Sequence, residues 1–251
     1  MRYLVLRTAI VATAFLVYEV LAQLKILDPF TFIPFSKMVS SAFALLTNPE
    51  FLSEHILPTS IEIGLSFLFS SVLGIVTGIL LWRSNFLYQT IQPYLMLFYA
   101  IPIFAVYPVF ISLFGMGPLP VIIIAMCFSI VAIISNTAVG LRETKKVLVK
   151  VGQSMNLTPW KMIFYIYLPA AWPYIFTGLK LGLAYSIIGV VATEFILSTR
   201  GLGHSIAFSY NNFDLNGMYG SILIVILIVI VVNAVLGYIE SRLYHSNAKG
   251  S

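Results

Sequence analysis

Charge is what this sequence has least of. Among 251 residues 14 are Lys or Arg and 9 are Asp or Glu, 9% in all, against about 25% in a soluble domain. That scarcity excludes the solvated surface of a water-soluble globular protein, and 60% hydrophobic residues with a mean hydropathy of +0.98 point instead to an integral membrane protein. A single cysteine, Cys127, excludes a disulfide framework and a thiolate metal site. Three histidines, His55, His204 and His245, fall on separate segments, with neither the i,i+4 pairing nor the clustered carboxylates of hydrolytic metal chemistry. The phosphate-loop pattern G-x-x-x-x-G-K-[ST] is missing, and the "GLG" at Gly201–Gly203 has no following lysine, so the chain has no means of hydrolysing ATP. The net charge of +5 is not read as nucleic-acid binding, because in a membrane protein the placement of charge outweighs its sum.

What the sequence does have is long apolar runs. A hydrocarbon core needs about 20 helical residues, and Ile63–Trp82, Leu119–Leu141 and Tyr219–Ile239 supply them without a charge. Further spans are expected near Tyr3–Leu24, Tyr88–Phe114 and Ala170–Leu197, six in all, an all-α membrane protein forming one domain over 1–251. The first run contains Glu19 and lacks a small-x-small cleavage site, so it reads as a retained helix rather than a signal peptide. With a cytoplasmic N-terminus, ten Lys and Arg fall on inner segments and three, Lys25, Lys37 and Arg200, on outer ones. The positive-inside rule then places both termini in the cytoplasm.

Three connections are long enough to hold structure. Lys25–Leu57, outside, reads as short amphipathic helices on the membrane surface, and Thr199–Met218, rich in Gly and Asn, reads as turns. The third is a cytoplasmic segment at 142–169. In "RETKKVLVKVGQSMN" the apolar Val147, Leu148, Val151 and Met155 fall within about 100° of arc, with Lys145, Lys146, Lys150 and Gln153 on the other side. Asn156 suits a left-handed helix end. Thr158 and Pro159 read as the N-cap and first position of a second helix, running through "WKMIFYIYL" to Pro169. On physics alone this segment is either a surface helix anchored by Trp160 and its lysines or a docking site for a partner.

Its spacing resembles the EAA-x3-G-x9-I-x-LP signature of permease subunits of bacterial binding-protein-dependent ABC importers. Ile166, Leu168 and Pro169 match the end of the signature, Lys150, Val151 and Gly152 take the "EAA" positions, and Asn156 takes that of the glycine. Lys150 reverses the charge of the acid it replaces. The downstream "GLKLGLAYSIIGVVATEFI" with "GLG", and the upstream "LMLFYAIPIFAVYPVFISLFGMG", are similar to the subgroup that imports nitrate, taurine, alkanesulfonates and some vitamin precursors. The likeness covers roughly Pro58 to Tyr238. It implies a type I ABC importer fold and a non-catalytic permease subunit of the bacterial inner membrane. It further implies pairing with a second permease copy, as homodimer or heterodimer, two cytoplasmic ABC ATPase subunits that hold ATP and Mg, and an extracytoplasmic substrate-binding protein. By the same likeness the ATPase-coupling residues are Lys150 and the run Ser154, Met155, Asn156, Leu157, Thr158, Pro159, Trp160 and Lys161. This chain itself is expected to bind no cofactor and no metal.

Polar groups inside spans are costly and so are candidates for function. Glu194 reads as part of an external gate or pathway, or as a buttress of the "STRGLG" loop. Pro93, Pro102 and Pro108 interrupt the third span, and a broken helix must face protein or a wet cavity. Tyr99, Phe104 and Tyr107 beside these breaks are therefore pathway candidates, with Asn136, which could equally bridge helices. Lys180 reads as a snorkelling residue, and Glu19 and Glu62 as interfacial. Gly64, Ser66, Ser70, Ser71, Gly74 and Gly78 read as a close-packing face. An ion-coupled secondary transporter or channel is the principal rival reading, ahead of a structural anchor or an intramembrane enzyme.

Overall fold

The computed structural model describes residues 2–98 and 101–248, and among these there is no strand. Ten helices carry the chain: α1 (Arg2–Gln23), α2 (Phe35–Leu46), α3 (Leu57–Arg83), α4 (Asn85–Phe98), α5 (Tyr107–Phe114), α6 (Pro118–Arg142), α7 (Lys146–Ser154), α8 (Leu168–Leu197), α9 (Leu202–Asn211) and α10 (Leu215–Ala248). Short helical leads at Pro49–Phe51 and Pro159–Met162 join α3 and α8 through wide turns. Among the described residues four continuous helices are long and apolar enough to cross a membrane: Pro49–Arg83, Pro118–Arg142, Pro159–Ile196 and Leu215–Ser241. A fifth span requires α4 to be counted with the Ile103–Phe114 stretch, to which it is bent by 83°. The expected sixth corresponds to α1, whose apolar stretch Ala12–Gln23 is by itself shorter than a span.

The wide turns correct one expectation, that the helix after Pro159 stops at Pro169. At Ile163–Tyr167 the Leu168 N–H reaches the carbonyl of Ile163, five residues back, and the helix continues through Pro169 into α8. The same device stands at Leu52–Ile56, where the Leu57 N–H bonds the Leu52 carbonyl just before Pro58. A proline ring crowds the carbonyl four residues earlier. A turn widened to i→i+5 spacing directly ahead of each Leu-Pro pair gives that carbonyl room. Of the third span's prolines, Pro93 lies inside α4 without ending it, whereas Pro102 precedes a 3-10 turn and Pro108 stands in the first turn of α5.

The chain forms two compact units, 60–193 with 233–251 and 1–59 with 194–232. In the first, α6 is the packing axis. Lipid offers no hydrophobic drive between helices, so close backbone approach at small residues must hold them. From α3, a Cβ placed on Gly74 or Gly78 would lie 2.8 Å from the Cβ of Ile133 or 2.6 Å from that of Thr137. From α8, Gly182 meets the same Ile133, and Gly189 lies against Ala125. The buried stripe of α3 runs Glu62, Ser66, Ser70, Gly74, Gly78, Leu81. Gly64 is off it, with open space around it, and Glu62 is buried on it. Gly78→Leu is expected to destabilise the chain by about 3 kcal/mol, and Gly64→Leu to be near neutral, read as unfolding midpoints in detergent.

In the second unit α2 packs Ala42, Leu45 and Leu46 on Phe51, Leu202 and Ile224. Glu19 of α1 accepts from the Ser36 N–H at 3.2 Å and the Ser36 hydroxyl at 2.6 Å, closing the start of α2 where backbone donors lack partners. The segment after Arg200, expected to be turns, instead contains α9. Gly201 at φ 95° admits the chain, and Leu202, Ser205 and Ser209 form its buried seam. With Gly203 also buried, one apolar side chain among four buried positions leaves little periodicity to read.

Candidate functional site

The 142–169 segment is built as an elbow. Helix α7 ends with Asn156 in the left-handed region, φ 52°. The Leu157 N–H bonds the Gly152 carbonyl at 3.1 Å and the Asn156 N–H bonds that of Gln153 at 2.9 Å. This is the double closure of a Schellman motif, and it turns the chain sharply at a residue that tolerates positive φ. Thr158 holds the N-cap position in extended conformation, but its side chain makes no capping bond, and Pro159 starts the next turn.

Gly152 fixes the elbow to its own chain. A Cβ there would meet the Met162 Sδ and crowd Ile166, so the two arms touch through bare backbone on one side and a flexible thioether on the other. Val149 and Leu157 are half-buried on this inner side. The apolar ridge predicted for the segment faces away. Val147 is 69% exposed, Met155 66% and Trp160 69%, and Leu148 and Val151 are exposed beside them. Phe164, its ring 6.5 Å from Trp160, extends the ridge. Lys150, Ser154, Asn156, Thr158, Pro159 and Lys161 are exposed around it. The arrangement can seat in a hydrophobic groove with a charged rim. It brings no acid, base or nucleophile together.

Tyr99 lies outside the described residues. Phe104 is half-buried with its ring 5.6 Å from that of Phe128, and Tyr107 is buried with Ile103 and Ile124. Asn136 donates to the Ala132 carbonyl of its own helix at 2.8 Å, so this amide bond does not bridge helices. Lys180 pairs with Glu240 at 2.7 Å, both about a third exposed.

Glu194 is fully buried. It accepts from the Thr59 hydroxyl at 2.7 Å and from the Gly203 N–H at 2.8 Å, and Thr59 Oγ1 in turn accepts from the Leu202 N–H at 2.8 Å. Gly201 lies so close that any Cβ there would run into the Glu194 carboxyl, and its carbonyl stands 3.0 Å from His55 Nδ1. The carboxylate thus holds the loop and the first turn of α9 against the start of α3. Sequence reasoning missed Thr59 and His55, which are 135 and 146 residues from the groups they bond; no local pattern announces such partners. It also missed Arg142 as an organiser, donating to Asn85 at 3.0 Å and lying 3.6 Å over the Tyr88 ring.

Residues 70–245 match the family model described as binding-protein-dependent transport system inner membrane component. A probable ABC transporter permease protein of Haemophilus influenzae is 28% identical over 182 residues, 72% of this chain and 74% of that one. The nitrate import permease protein NrtB of Synechocystis sp. is 25% identical over 221 residues, 85% of this chain and 80% of that one. Among solved structures, the MetNI methionine ABC transporter in its inward-facing CY5 native crystal form superposes with a TM-score of 0.66 at 18% identity. That match covers 77% of this chain and 97% of the other.

Proposed function

Since the chain belongs to the inner membrane components of binding-protein-dependent transport systems, the non-catalytic permease subunits of ABC importers, we propose that its elbow is the handle by which a separate cytoplasmic ATPase drives it. The observation that carries this reading is the exposed ridge of Val147, Leu148, Val151, Met155 and Trp160. Apolar surface left in water costs about 25 cal/mol per Å², and an amphipathic helix recovers that by seating in a groove. Lys161, next to Trp160 in the chain, is exposed, and a basic side chain beside the ridge calls for an acidic group on the partner's rim.

In this reading the single domain 1–251 pairs with a second permease copy, both termini lie in the cytoplasm, and an extracytoplasmic binding protein delivers the solute. Closure of two ATPases around ATP and Mg shifts the permease pair between outward-open and inward-open states. The solute is a small compound of the nitrate, taurine or sulfonate class. Lys180, the cation within α8, is neutralised by Glu240 and offers such an anion no fixed charge, so selection falls to the binding protein. The commitment of Glu194 to the 201–203 backbone weighs against the ion-coupled alternative, which needs a carboxylate free to exchange its proton or ion.

Purification from native membranes in mild detergent is expected to recover an ATPase subunit in equal stoichiometry with this chain. If vesicles made under the same conditions still move solute and no ATPase is attached, the ion-coupled transporter replaces this proposal.

A further inference from the structure

Beside the elbow, on the side away from its apolar ridge, lies a cavity of ≈ 520 Å³ with Trp82, Arg142, Thr144, Lys146, Lys150 and Tyr167 in its lining. It lies at the ends of three spans: Trp82 is in the last turn of α3, Arg142 ends α6, and Tyr167 immediately precedes α8. The lining carries three cations and no carboxylate. Trp82 and Tyr167 form one wall, their ring centroids 4.4 Å apart, and Trp and Tyr are the residues that settle at headgroup depth in a bilayer.

The cations are arranged rather than scattered. Asn85 and the Tyr88 ring hold the Arg142 guanidinium in place and leave most of its five donors available. Helix α7 begins at Lys146 with Lys145 at its N-cap, no capping side chain and no acid in its first turn. Lysines at the positive end of a helix are the reverse of what the helix dipole favours, and an anion in the cavity removes the conflict for Lys146, which lines it. Thr144 Oγ1, also in the lining, is enclosed without a protein partner among the described residues. At about 30 Å³ per water, the cavity has room for well over ten waters, far more than a bare phosphate displaces.

We propose that this cavity binds the phosphodiester headgroup of an acidic phospholipid, with Arg142, Lys146 and Lys150 supplying the charge and Thr144 a hydroxyl. Basic pockets between spans are known to select such headgroups. The site requires only that the spans lie in a membrane, and so it stands apart from the ATPase reading.

The test uses the full chain in detergent, titrated with phosphatidylglycerol or with phosphatidylcholine of the same acyl chains, bound lipid being counted by native mass spectrometry. Phosphatidylglycerol is expected to be retained roughly tenfold better, with Lys146→Gln lowering its retention about fivefold and Lys146→Arg preserving it. Equal retention of the two lipids, or no effect of Lys146→Gln, overturns the proposal. In a third arm, inorganic phosphate that displaces the lipid at matched concentration would make this a free-anion site and overturn the lipid assignment. Absence of phosphatidylglycerol from chain that carries its ATPase would give the cavity to that protein interface instead.

Discussion

Replacing Met155 and Trp160 together with alanine is expected to lower ATPase retention and solute uptake by about a hundredfold while the chain stays folded. Truncating a central anchor of an interface costs 2 kcal/mol or more, about 30-fold each, with less than full additivity when neighbours share one pocket. Both side chains are about two-thirds exposed, so neither truncation opens a hole in this chain. Leu157, on the same turn, is half-buried, and its replacement would mix a packing defect with any docking defect. The informative readouts are ATPase stoichiometry after purification, uptake into vesicles and the unfolding midpoint of the isolated chain. Retention of the ATPase at its original stoichiometry by the doubly substituted chain would remove the elbow from the coupling pathway.

Glu194→Ala is expected to cost about 2–4 kcal/mol, the sum of a buried donor left without its acceptor and the space vacated by the side chain. That donor is the Gly203 N–H, whereas the Thr59 hydroxyl keeps the His55 carbonyl at 3.0 Å. Glu194→Gln keeps one carbonyl oxygen and the shape, and is expected to cost about 1–2 kcal/mol. A local readout exists, because Arg200 sits exposed in the loop that the carboxylate restrains. Tryptic cleavage after Arg200 follows how often that loop opens, and in Glu194→Ala it should be faster by more than about tenfold. An unchanged cleavage rate would show that the 201–203 backbone is held by something other than this carboxylate.

Where an element is set by local chemistry, its position could be read directly. The uninterrupted apolar run 119–141 became α6 within a residue at either end, and the turn at Asn156 follows from the few residue types that accept positive φ. Elements set by distant partners could not be read. Half of the buried positions of α9 are serine, and one of those serines, Ser205, bonds Ser221 of α10 at 2.9 Å, a match no window of sequence contains. Glu62 looked interfacial because a carboxylate near a helix end usually is, yet it occupies the same helical stripe as Gly74 and Gly78. The elbow's ridge followed from 100° periodicity, but which side of α7 would meet its own chain depended on Gly152 and Met162.

The wide turn at Ile163–Tyr167 adds one residue to a helix that otherwise advances 100° per residue. The arm carrying Trp160 is therefore swung by more than a quarter of a revolution from the bearing that the periodicity of α8 would assign it. Deleting one residue there would remove that offset and point the arm elsewhere. The bearing of this arm is set by a surplus residue, and composition alone gives no hint of it.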